Sequence, residues 1–211
     1  MSAILFKVQK KTIQDLVLIA AFAALIIALG AVAVPIGGLG IPIVLQNMGV
    51  ALAAMVLGAR RGTFAVVLYL GVGLIGVPNL SGFRSTLSAL AGPSIGYLIG
   101  YILAALVIGL MTQRRPLKAG GQIALFITAG LVGVAIQYLL GSVGLVYRAD
   151  MNFIPALVSN GAFIPGDIIK VVIAALIAVP VLRALPDLRP RKTPSKKPKQ
   201  TSTDAAATPA S

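Results

Sequence analysis

From Leu16 to Ala59 the chain carries no charged residue. A helix crossing a hydrocarbon core of about 30 Å needs only about 20 apolar residues, so this stretch is too long for one crossing and must make two. The interruption falls at Pro35-Ile36-Gly37-Gly38-Leu39-Gly40-Ile41-Pro42, where Pro and Gly punctuate helices. Backbone polar groups find no water inside a bilayer, and apolar runs of this length satisfy them as helices. The fold class is therefore read as all-α and polytopic. Composition agrees, because 58% hydrophobic residues, 11% charged residues and a mean hydropathy of +0.97 lie outside the range of soluble domains.

The same reasoning along the chain predicts a compact bundle of six spans, at roughly 15–34, 43–59, 62–78, 93–112, 122–146 and 166–183. The chain divides into an N-terminal segment 1–14, a membrane domain 15–185 and a tail 186–211. Lys7, Lys10, Lys11, Arg60, Arg61, Arg114, Arg115, Lys118 and the basic residues from Arg183 onward fall on one side of these spans. Arg84 and Arg148 fall on the other, and Lys170 lies within a span. Positive charge collects on the cytoplasmic side, so both termini are predicted to be cytoplasmic and the protein to sit in the cell membrane. This distribution, rather than a nucleic-acid-binding face, accounts for the net charge of +13. A cleaved leader is the competing reading of the N-terminus, with Ala31-Val32-Ala33 mimicking a cleavage site, but the apolar run from Leu16 exceeds a leader's usual core. The tail, rich in Lys, Pro, Ser, Thr and Ala, lacks the apolar content to fold and is expected to be disordered.

Missing residue types narrow the chemistry. There is no His and no Cys, which removes imidazole- and thiolate-based metal sites and a Cys nucleophile. The acids are Asp15, Asp150, Asp167, Asp187 and Asp204. General acid–base catalysis would have very few groups to run on, so the chain is expected to be neither an enzyme nor the holder of a cofactor. No G-x-x-x-x-G-K-[ST] phosphate loop is present, so any ATP-driven function needs ATP hydrolysed by another polypeptide.

The main functional clue is Ile164-Pro165-Gly166-Asp167-Ile168-Ile169-Lys170, which opens the last apolar segment. Ionisable groups at membrane depth cost a few kcal/mol each on insertion scales and tend to mark a ligand or ion path. Asp167 and Lys170 share a helix face, with the carboxylate toward the positive N-terminal end. The plain alternative is that Asp167 caps the helix and Lys170 snorkels to the interface. Two long connections on the same side, Asn79–Pro93 and Arg148–Pro165, mix Phe, Leu and Ile with Asn, Ser and Arg and are suited to cap a pocket open to the outside. Arg84 and Asn79 would join Asp167 and Lys170 in a ring that suits a small ligand with a carboxylate and a polar ring. Gln46, Asn47, Gln137 and Tyr138 are polar groups within spans, for each of which an interhelical hydrogen bond is the simpler reading. The candidate ligand contacts are Asp167, Lys170, Arg84, Asn79, Tyr97, Gln46 and Asn160. Gly92, Gly96, Gly100 and Ala104 recur every four residues, as do Ala20, Ala24 and Ala28, a spacing that lets helices approach closely, inside the bundle or against a partner.

Several segments together resemble the BioY family, the biotin-specific substrate-binding subunits of energy-coupling-factor transporters. They are Ile41-Pro42-Ile43-Val44-Leu45-Gln46-Asn47-Met48-Gly49-Val50, Leu57-Gly58-Ala59-Arg60-Arg61-Gly62, Gly92-Pro93-Ser94-Ile95-Gly96-Tyr97-Leu98-Ile99-Gly100 and Phe163-Ile164-Pro165-Gly166-Asp167-Ile168-Ile169-Lys170. The resemblance implies a six-helix subunit that captures biotin from outside and works with a transmembrane coupling subunit and two cytoplasmic ATPases. It carries the family's binding Asp and Lys to Asp167 and Lys170, and makes Ala20, Ala24 and Ala28 the surface offered to the coupling subunit. Where many relatives carry a Gly-rich stretch after the third helix, this chain has Asn79-Leu80-Ser81-Gly82-Phe83-Arg84. Whether Lys170 or Arg84 holds the biotin carboxylate is left open. The alternatives are a sister subunit for another vitamin, an intramembrane enzyme or a channel.

Overall fold

A computed structural model describes residues 2–35, 42–113 and 118–185, with side chains described for 12–32, 44–113 and 118–185. The order is α1 (Ser2–Ala31), β1 (Ala33–Pro35), β2 (Pro42–Val44), α2 (Gln46–Leu74), β3 (Pro78–Leu80), β4 (Arg84–Ser85), α3 (Thr86–Leu90), α4 (Ile95–Thr112), α5 (Ala119–Ala149), α6 (Phe153–Ser159), a 3-10 turn (Asn160–Phe163) and α7 (Ile164–Ala184). Five helical segments among the described residues are long and apolar enough to cross a membrane. The sixth crossing comes from α2, which is two arms meeting at an elbow.

At that elbow Gly58 adopts φ 78° and ψ −177°, a backbone conformation that suits glycine because it has no Cβ to clash. The arms fold back on each other: a Cβ on Gly62 would stand only 2.8 Å from the Ala54 Cα. At their far ends Gln46 donates to the Asn79 backbone carbonyl (2.7 Å), and Asn79 donates to the Tyr69 carbonyl (2.6 Å), so the ends of the two arms lie side by side. The expected spans 43–59 and 62–78 are these two arms. Charge marks the elbow, where Arg60 and Arg61 follow Gly58 and Arg61 pairs with Asp15 of α1 at 2.7 Å.

The first arm is the centre of the bundle. Val50, Ala53, Ala54, Met55 and Val56 are fully buried, and a helix apolar on all sides belongs in the interior. α1 crosses it where Gly49 admits Leu29 and Ile26, α4 meets the elbow at Gly109 against Ala59, and α5 and α7 close the other side where Gly130 meets Val171 and Met55. Large apolar side chains such as Leu16, Leu110 and Ile169 face outward, as expected for surfaces that meet lipid. The Gly stripe on α4 packs within the bundle: Gly96 lies against Leu140 and Gly144, and Gly100 against Gln137.

Two features depart from the expected bundle of plain helices. Short antiparallel ribbons, β1 with β2 and β3 with β4, close the connections at the end opposite the elbow. Helix α1 begins at Ser2, well before the expected start of the first span at residue 15, because nothing between Ser2 and Asp15 breaks a helix. The Pro/Gly break at 36–41, the basic connection at 114–117 and the tail from residue 186 lie outside the described residues.

Candidate functional site

Pro165 sits in the first turn of α7, where its missing N–H costs no hydrogen bond, and the turn brings Asp167 and Lys170 against the first arm of α2. That arm, from Gln46 to the residue before Gly58, rises only about 18 Å at 1.5 Å per residue. Its open end is therefore recessed within a hydrocarbon core of about 30 Å. The two ionic groups are buried accordingly, Asp167 at 4% exposure and Lys170 at 7%. They neither cap the helix nor reach the interface: the Asp167 oxygens bond to side chains rather than to backbone amides of α7.

The contacts form a closed set. Asp167 Oδ1 pairs with Lys170 Nζ at 2.5 Å and accepts from Asn47 Nδ2 at 2.8 Å, and Asp167 Oδ2 accepts from the Tyr138 hydroxyl at 2.6 Å. Lys170 Nζ also donates to Asn47 Oδ1 and to the Val44 carbonyl, each at 3.0 Å. The Asn47 amide thus bridges both ions, donating to one and accepting from the other. An ammonium has three donors, and all three of Lys170 are engaged. A carboxylate has about four acceptor sites, three of which are used, and the fourth is on Oδ2.

The other candidates are distributed around this cluster. Tyr97 donates from its hydroxyl to Asn160 Oδ1 (2.6 Å), and Asn160 Nδ2 donates to Ser142 Oγ and the Ala156 carbonyl (3.0 Å each). This latch ties the turn after α6 to α4 and α5. Tyr101 lies one turn deeper on α4 than Tyr97. Asn79 and Gln46 stand in a separate knot: besides the bonds named above, Asn79 Oδ1 accepts from the Thr86 backbone N–H (3.0 Å) and Nδ2 donates to Thr86 Oγ1 (2.9 Å). Both side chains are held by bonds that fix the β3–β4 ribbon to α2. Arg84 is exposed on β4 and makes no ion pair with a described residue, so the structure does not bring it into the Asp167 cluster.

Asn47 and Tyr138, read from the sequence as interhelical bonding groups, touch the carboxylate directly. Their signal was a polar residue inside a span, which does not say which helix it meets. Ala20, Ala24 and Ala28 are all exposed, while Ala23 and Ile26 of the same helix are buried. The Ala stripe therefore faces away from the bundle.

The model of the BioY family matches residues 5–187, a stretch that includes the whole membrane domain. The chain belongs to the BioY family. It is 41% identical over 185 residues to the biotin transporter BioY of Rhizobium etli, covering 84% of this chain and 98% of that one. It is 42% identical over 174 residues to the biotin transporter BioY of Rhodobacter capsulatus, covering 78% and 91%. Among solved structures it resembles the 2.1 Å crystal structure of the S-component for biotin from an ECF-type ABC transporter, with a TM-score of 0.72 and 31% identity over 82% of this chain and 93% of that one. With five helical segments long and apolar enough to cross a membrane among its described residues, the chain is a multi-pass membrane protein, and the relatives are named as transporters.

Proposed function

We propose that this protein captures biotin on the outside of the cell membrane and delivers it inward as the S component of an energy-coupling-factor transporter. The observation that carries this reading is the buried Asp167–Lys170 pair, bridged by Asn47 between α7 and the recessed end of α2. Biotin offers a ureido ring with two N–H donors and one carbonyl, and a carboxylate tail. The remaining acceptor site on Asp167 Oδ2 suits a ureido N–H, and a ligand acceptor that displaces the neutral Val44 carbonyl would gain an ammonium. Kinship with proteins named biotin transporters supports this choice over another vitamin.

The outward-facing Ala20, Ala24 and Ala28 would meet a helix of the transmembrane coupling subunit, because small side chains let backbones approach closely. Two cytoplasmic ATPases would supply the energy, and the subunit itself needs no cofactor. Labelled biotin should bind the isolated subunit tightly in detergent, with unlabelled biotin, and no other vitamin, competing. A charge-assisted hydrogen bond is worth about 1.5–3 kcal/mol, so Asp167→Ala should weaken binding at least tenfold. Undiminished binding by this variant would refute the site, and competition by a different vitamin would refute the ligand.

A further inference from the structure

The side of α5 that faces the interior carries Phe126, Ala129, Gly130, Gly133 and Gly141, with two long polar residues buried among them, Gln122 in its first turn and Gln137 past its middle. Gln137 is 4% exposed, yet its amide makes no hydrogen bond with any described residue. It is also not sealed in: among the described residues the fully enclosed, unpartnered side-chain atoms are the hydroxyls of Thr63 and Tyr69. With no protein partner to lose, both the N–H and the C=O of this amide are free for whatever enters the space that it faces.

Its position relates it to the ion pair. Gly100 of α4 backs directly onto the Gln137 Cα, which puts Gln137 level with Tyr101 and one turn deeper than the point where the Tyr97 ring lies on Gly141. Two turns earlier on the same side of α5, Gly130 meets Val171 of α7 and Met55 of α2, so this side of the helix faces α2 and α7, which carry Asn47, Asp167 and Lys170. Gln137 therefore borders the same interior as the ion pair, from the α4 side.

We propose that Gln137 is a specificity-determining contact for a cyclic urea. A carboxamide matches one N–H and the carbonyl of a urea edge to edge, its oxygen accepting and its nitrogen donating. The second urea N–H is then left for the vacant acceptor site on Asp167 Oδ2. Neither group alone covers all three polar atoms of the ring; the two together do. This inference rests on the biotin reading above and adds the residue that reads the ring's carbonyl.

The test compares wild type, Gln137→Leu and Gln137→Glu, each purified in detergent, for binding of biotin and of 2-iminobiotin, in which the ureido oxygen is replaced by an imino group that is protonated near neutral pH. Gln137→Leu should bind biotin at least tenfold more weakly. Its melting temperature without ligand should be equal to or above that of wild type, since the exchange for an apolar group of similar volume breaks no hydrogen bond to a described residue. Gln137→Glu, nearly isosteric, should reverse the preference, favouring 2-iminobiotin. Unchanged biotin affinity in Gln137→Leu overturns the proposal, as does a lowered ligand-free melting temperature combined with an unshifted preference in Gln137→Glu, which would mark a packing residue. Wild type that fails to bind biotin at all overturns the function and this inference together, whereas binding by wild type that Gln137 variants leave intact overturns this inference alone.

Discussion

Replacing Asp167 with Asn removes a charge while keeping the shape of the side chain, and it leaves the Lys170 ammonium at 7% exposure with only Asn47 and the Val44 carbonyl around it. Breaking a buried ion pair from one side costs about 3–5 kcal/mol, because the remaining charge is uncompensated. For a chain of about this size, a kcal/mol moves the melting temperature by roughly 2–4 °C, so Asp167→Asn should melt some 6–20 °C lower than wild type in detergent. The double variant Asp167→Asn/Lys170→Met removes both charges, and neutral replacements for a buried pair are often no worse than the pair itself. It should recover most of the lost melting temperature and none of the biotin binding. Melting curves and equilibrium binding of labelled biotin on the three proteins decide the matter. A single variant that melts with wild type, or a double variant that binds biotin, would refute the reasoning.

Three further outcomes follow from named contacts. Tyr138→Phe deletes the hydroxyl that bonds to Asp167 Oδ2 and should weaken biotin binding on the order of tenfold, measured by equilibrium binding, with little change in yield. Gly109→Val places a branched side chain into the backbone of the elbow at Ala59, and should abolish the monodisperse peak in size-exclusion chromatography. Ala24→Leu enlarges an exposed position on α1, and should leave biotin binding by the isolated subunit unchanged while reducing copurification of the coupling subunit.

The helices were legible because the bilayer dictates their length and because charge marks their ends. Arg60 and Arg61 signalled the elbow that Gly58 makes, and Pro35 to Pro42 signalled the first connection. The ribbons and α3 were not legible, since pieces of two to five residues carry no periodicity. Asp167 and Lys170 could be paired on paper because they are one turn apart on one helix. Asn47 could not be joined to them, since 120 residues separate it from Asp167 and nothing in the sequence says that the first arm of α2 borders α7. The contrast between Gln46 and Asn47 shows how fine the distinction is. Consecutive residues on a helix point about 100° apart, which sends Gln46 to the Asn79 knot and Asn47 to the ion pair. The Ala and Gly stripes have the same spacing, yet one faces outward and the other packs on α5, because spacing fixes a face of a helix and only the neighbours decide what that face meets.

Nearly complete hydrogen bonding explains how the ion pair is tolerated, and it also argues that folding is not what the pair is for. Asn47, Tyr138 and the Val44 carbonyl satisfy most of the capacity of the two ions, so the bundle can enclose them without water. An apolar pair of similar volume would have needed none of those partners and would have packed at least as stably. What the charges add has to be expressed when something else enters: a donor that takes the vacant site on Asp167 Oδ2, or an acceptor that replaces the Val44 carbonyl at Lys170. The expected behaviour of the double variant, stable but unable to bind, is the direct expression of that argument.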